Sequence, residues 1–166
     1  MRPARTRLVA ATAFAMVGVI CGLLIVGMGS RGTLGSGWGA FPAYSAAGAF
    51  LTGLALWETD LSGHGRRRGA LAGAACGLVA HPVTWYVMIC WNWAMISAGL
   101  TPGPSAGQTP LNPVNGLAGA VTFSIFSILV MGPITVPAGA VVGALVGAWQ
   151  ERSNSARSSS VPDTAS

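Results

Sequence analysis

The sequence predicts an all-α integral membrane protein of four transmembrane helices, the fourth of them kinked or broken. Three observations carry that expectation: four long apolar stretches, a scarcity of charge, and a lopsided distribution of arginine. Of the 166 residues, 52% are hydrophobic and 8% charged, with a mean hydropathy of +0.59, whereas about 25% charged residues is usual in soluble domains. Arg2, Arg5, Arg7, Arg66, Arg67, Arg68, Arg152 and Arg157 fall in alternate gaps between the apolar stretches, and only Arg31 falls in the others. Cytoplasmic loops carry the excess of basic residues in membrane proteins. The bias therefore places both termini in the cytoplasm, in the inner (cytoplasmic) membrane of a prokaryote. Every basic residue is Arg and none is Lys, a bias that accompanies GC-rich prokaryotic genomes.

The first segment, residues 8–29, meets the requirement of about 20 apolar residues for a helix crossing about 30 Å of hydrocarbon. The arginines before it resemble the start of a signal peptide, but such apolar regions run only about 7–15 residues, so a retained anchor is expected. Residues 30–37 form a short Gly/Ser-rich turn carrying Arg31. The second segment, 38–57, begins and ends with tryptophan, a residue that favours the headgroup level. Pro42 falls in its first turn, where a missing N–H costs little. Residues 58–69 then bring Glu58, Asp60, His64 and three consecutive arginines, and read as a cytoplasmic loop.

The third segment, 70–98, is interrupted in pattern at His81-Pro82 and rich in Trp, Tyr and Met toward its end. Residues 99–115 contain four prolines and no charge and read as an external loop. The fourth segment, 116–149, amounts to about 50 Å of helix at 1.5 Å per residue, too long for a straight span, so Gly132-Pro133 and Pro137 are expected to kink or break it. A fifth span made by dividing it is disfavoured. The dividing turn would hold no polar residue except Thr135, and Arg152 and Arg157 would move outside. Residues 1–150 thus form one membrane domain, and the Ser-rich 151–166 a disordered cytoplasmic tail that cannot bury a core.

A net charge of +5 would point a soluble protein toward nucleic acid. Here the charge flanks membrane spans, so the expected partner is the lipid bilayer with its anionic headgroups and not nucleic acid. Cys21, Cys76 and Cys90 lie inside apolar segments with no metal-ligand spacing and read as buried small hydrophobes. No metal, other cofactor or catalytic residue is expected: there is no nucleophile elbow, P-loop, H-E-x-x-H or pair of intramembrane acids.

Two glycine zippers form the clearest constellation. Gly69, Gly73 and Gly77 repeat every fourth residue in the third segment, and Gly139, Gly143 and Gly147 do so in the fourth. Residues four apart share a helix face, and a row without side chains lets backbones approach closely in lipid. Packing within one subunit is the plainer reading, and a homo-oligomer interface is the sharper one. His81 continues the line Gly69, Gly73, Gly77, His81, Trp85 at about mid-membrane depth, where ionisable groups are rare and costly. With no carboxylate in any span to partner it, a neutral histidine bonding between helices at the Pro82 kink is the plainer reading. A proton relay or ligand contact is the alternative. His81, Thr84, Trp85 and Thr135 make up the candidate intramembrane polar site. Arg66, Arg67 and Arg68 are a topology determinant first and a lipid-headgroup contact second. The leading functional expectation is a structural or accessory component acting with a membrane-protein partner. The alternative is an oligomeric permease for a small solute or ion with its path near His81.

Overall fold

The computed structural model describes residues 3–29, 36–57, 65–103 and 111–158. The 58–64 loop with Glu58, Asp60 and His64, the Arg31 turn, Arg2 and residues 159–166 lie outside the described residues. The four helices are α1 (Pro3–Gly29), α2 (Phe41–Leu56), α3 (Arg66–Ser97) and α4 (Gly116–Ser158), with a 3-10 turn over Ser36–Ala40 leading into α2. There is no strand among the described residues. All four helices are long and apolar enough to cross a membrane.

Local chemistry sets the helix ends. Pro42, in the first turn of α2, needs no intrahelical donor there. α3 stops at Gly99, whose φ of +68° is left-handed. The Gly99 N–H donates to the Ile96 carbonyl at 3.0 Å and the Leu100 N–H to the Met95 carbonyl at 2.9 Å. That pair of bonds satisfies the last carbonyls of the helix, and glycine takes the left-handed conformation without a Cβ penalty. α4 starts after a turn in which the Asn112 Oδ1 accepts from the Asn115 N–H at 2.8 Å.

Two sequence-level expectations change. The segment expected to be kinked or broken at Gly132-Pro133 and Pro137 has no break: it is one helix of 43 residues, and α3 likewise runs through Pro82. Pro133 and Pro137 are four apart, both exposed, and so lie on the outer face of α4. Their rings therefore do not disturb the packed side, and a proline inside a membrane helix is tolerated when the surroundings re-satisfy the backbone. The second change is at the C-terminus, where residues 151–158 continue α4 instead of opening the tail. Propagating an existing helix needs no new nucleus, and the Ser153 and Ser155 hydroxyls donate to the carbonyls of Trp149 and Glu151.

Helices adjacent in sequence pack side by side, most extensively α3 against α4, whereas α1 and α4 meet less than any of these. Glycine makes the first three of these contacts close. Between α3 and α4 the two glycine rows face each other in one chain: a Cβ on Gly73 would collide with the Gly139 carbonyl oxygen, and one on Gly143 with that of Gly69. Added at Gly77 it would lie 2.6 Å from the Thr135 carbonyl oxygen, and at Gly147 2.6 Å from that of Gly65. The α1–α2 contact uses Gly18 against Ser45 and Gly22 against Pro42, and the α2–α3 contact uses Gly48 against Thr84. The seam is reinforced where the Ser45 hydroxyl donates to the Gly18 carbonyl at 2.7 Å. The Arg7 Nε donates to the Leu54 carbonyl at 2.6 Å, tying the start of α1 to the end of α2.

A small apolar cluster (Ala10, Phe14, Ala49, Trp57, Ala72, Cys76 and Val146) joins all four helices at the end bearing Arg66. Large aliphatic residues line the outside instead, among them Leu23, Met28, Leu129 and Val130. That distribution inverts the soluble pattern and suits a lipid surround.

Substitution at the α3–α4 seam tests this packing. Gly73→Leu or Gly143→Leu forces two backbones apart and is expected to lower stability in detergent by at least about 2 kcal/mol. Ile125→Leu, on the exposed face of α4, is the control and is expected to melt like wild type. Unchanged melting of both glycine variants would refute close backbone contact.

Candidate functional site

The same four-residue row that carries the glycines on α4 continues toward the helix middle as Thr135, Met131 and Ser127. On α3 the glycine row continues as His81 and Trp85. The two rows run antiparallel, so the polar residues of one meet the histidine of the other. His81 is 8% exposed. Its Nδ1 lies 2.6 Å from the Ser127 hydroxyl and its Nε2 2.9 Å from the Thr135 hydroxyl.

Proton bookkeeping orders this network. The Thr135 hydroxyl donates to the Met131 carbonyl at 3.1 Å, so toward the imidazole it accepts, and the Nε2–H is the donor. A neutral ring then offers Nδ1 as acceptor, and the Ser127 hydroxyl donates to it. Every polar atom in the chain Ser127, His81, Thr135, Met131 is used by a neutral imidazole. The histidine is a rivet between α3 and α4, placed where the glycine rows end.

Thr84 and Trp85 lie on either side of this rivet. Thr84 is buried and abuts Gly48 of α2, with room there for no side chain. Trp85 is the hub of an aromatic group: its ring is 5.0 Å from Phe123 in a stacked arrangement, 5.6 Å from Phe41, and 6.2 Å from Trp38 edge-on. It therefore holds α3 against both α4 and the start of α2. Trp91 and Trp93, further along α3, are exposed.

Next to these groups is a cavity of about 60 Å³ between the helices. Its polar wall is His81, Ser127, Thr135, Thr84 and Ser45, and its apolar wall includes Phe14, Cys21, Phe41 and Trp85. The space holds a few water-sized groups. It is bounded by hydrogen-bonding groups without formal charge, so it suits a small neutral species with a donor or acceptor. Among the described residues no group of three His, Cys, Asp or Glu side chains could hold a metal.

The candidate residues thus divide. His81, Thr84, Trp85 and Thr135 come together around one cavity, the six glycines line the adjoining seam, and Arg66, Arg67 and Arg68 sit exposed at the start of α3. Ser127 is a necessary member that the candidate set lacks. Its signal was present in the sequence, since it lies eight residues before Thr135 on the same face. Phe14, Cys21, Phe41 and Ser45 had no such signal, because ordinary small and aromatic residues on α1 and α2 follow no spacing that distinguishes a wall from packing. No protein-family model matches the chain, and neither a curated protein nor a solved structure matches it.

A double-mutant cycle measures the rivet. His81→Leu and Thr135→Val are each expected to destabilise, and the pair to lose less than the sum, with a coupling energy of about 0.6–1.7 kcal/mol, the range for interhelical hydrogen bonds in membranes. His81→Gln, which retains a donor and an acceptor, is expected to melt between wild type and His81→Leu. Strict additivity in detergent melting would refute the bond.

Proposed function

We propose that this protein is a small multi-pass membrane component that acts by association, as a structural or accessory subunit, and not by catalysis. The observation that carries this reading is the use of both His81 nitrogens in joining α3 to α4. The histidine at the centre of the bundle is engaged in cohesion, directly beside a seam where backbones touch. Close backbone packing at that seam supports cohesion over passage of a solute between α3 and α4. The wide belt of exposed aliphatic residues supplies surface for lipid or for a membrane-protein partner, including a second copy of the chain.

A second reading has its own support. The cavity beside His81 is what a permease for a small neutral solute requires, with an oligomer completing the path. In both readings the chain sits in the cytoplasmic membrane of a prokaryote, with four spans, both termini inside, and α4 bent near Pro133 and Pro137 to fit its length to the bilayer. The arginine distribution supports that orientation.

Orientation is tested with single cysteines at Ser62 and Ser105 in a background lacking the three native cysteines. An impermeant thiol reagent applied to intact cells is expected to label the Ser105→Cys chain and spare the Ser62→Cys chain. Equal labelling would overturn the four-span arrangement. Activity is tested by reconstitution. Proteoliposomes are expected to pass water and small neutral solutes no faster than protein-free vesicles, while gentle extraction yields the chain in a stoichiometric complex. Flux abolished by His81→Phe would replace the accessory reading with the permease.

A further inference from the structure

A second concave surface lies on the outside of the bundle, at the end where α3 begins. It is an open groove of about 460 Å³ between α3 and α4, lined by Ala70, Ala140, Val141 and Ala144, with Arg66 and Arg67 at its mouth. Both arginines are exposed. The first turn of α3 contains no acidic residue. The floor is made of small side chains beside the seam where Gly69 and Gly143 meet.

We infer that this groove is a binding site for one anionic phospholipid, its phosphate held by Arg66 and Arg67 and the upper part of one acyl chain laid along the alanines. Charge complementarity selects the headgroup, because guanidinium groups bind phosphate through paired N–H donors. The trough selects a lipid over a free phosphate, because alanine and valine offer nothing to an ion. Arg68 is the internal control. It is exposed and adjacent in sequence, yet it does not line the groove. A diffuse surface potential would use all three arginines alike, whereas a site distinguishes them. The site is independent of the association proposed above, since it lies outside the His81 cavity and shares no residue with it.

The test uses the full chain in detergent, titrated with phosphatidylglycerol or with phosphatidylcholine of identical acyl chains, and counts bound lipid by native mass spectrometry. Wild type is expected to retain one phosphatidylglycerol in preference to phosphatidylcholine. Arg66→Gln and Arg67→Gln should each weaken that retention about fivefold, the effect of roughly 1 kcal/mol per basic residue near anionic lipid, while Arg68→Gln leaves it within about twofold. Ala144→Leu fills the trough and should abolish retention with no change in charge. Val141→Phe, at a position already 59% exposed, should act in the same direction without disturbing the packed interior, and its melting temperature checks that the fold is intact. Glycerol phosphate, the headgroup without chains, should not compete. Three results would overturn the site: equal losses for Arg66, Arg67 and Arg68, retention unaffected by both groove-filling variants, or competition by glycerol phosphate.

Discussion

Close approach of the α3 and α4 backbones is the constraint on which the other contacts depend. In lipid, burying an apolar side chain against another gives no advantage over leaving it among acyl chains, so helices cohere through van der Waals fit and hydrogen bonds. Glycine rows on both partners bring carbonyl oxygens of one helix against the α-carbons of the other, an arrangement that also admits weak Cα–H···O bonds. That separation brings Ser127 and Thr135 within hydrogen-bond reach of His81, and Phe123 within stacking distance of Trp85. A seam widened by one methyl group would lose the rivet and the aromatic stack together.

The remaining helices are attached in order of chain. α2 packs against α3 through Gly48 and Thr84, and α1 against α2 through Gly18, Gly22 and the Ser45 hydroxyl. α1 and α4, which would close the ring, meet less than the helices joined in sequence. The bundle is therefore a series of three hairpin contacts with a loosely closed edge, and the His81 cavity draws walls from both sides of that edge. At the Arg66 end the edge is held by the apolar cluster around Phe14 and Trp57. The Trp57 indole N–H there is the single buried side-chain donor without a partner among the described residues, an exception to the usual satisfaction of such groups.

Much of this fold was legible in the amino-acid order, and the reasons are physical. Apolar runs long enough for a bilayer can only be helices or barrel strands, and here they are too long and too unalternating for strands. A four-residue glycine spacing marks a helix face, although nothing in one row names the row it meets. His81 stood out because a titratable group among apolar neighbours is costly. Its partners were harder to read: serine and threonine are common in membrane helices, and only antiparallel registration brings Ser127 and Thr135 opposite it. Pro133 and Pro137 look like breakers in a string of letters, yet α4 runs through both without a break. The face on which a proline ring lies decides whether it disrupts packing, and both rings lie on the outer face. The cavity could not be read, since a void is a property of several helices at once.

A contact built from glycine backbones has no rotamers to freeze. Elsewhere in the bundle each interdigitating Phe, Trp or Met surrenders side-chain freedom on packing, a cost that grows in proportion to temperature. Where Gly69 and Gly73 meet Gly139 and Gly143, the α3–α4 seam surrenders none beyond the backbone order its helices already possess. Its strength should therefore fade more slowly on heating than that of the edge between α1 and α4, which has no glycine contact. Thermal loosening is therefore expected first along the α1–α4 edge, with the three glycine-built contacts holding longer.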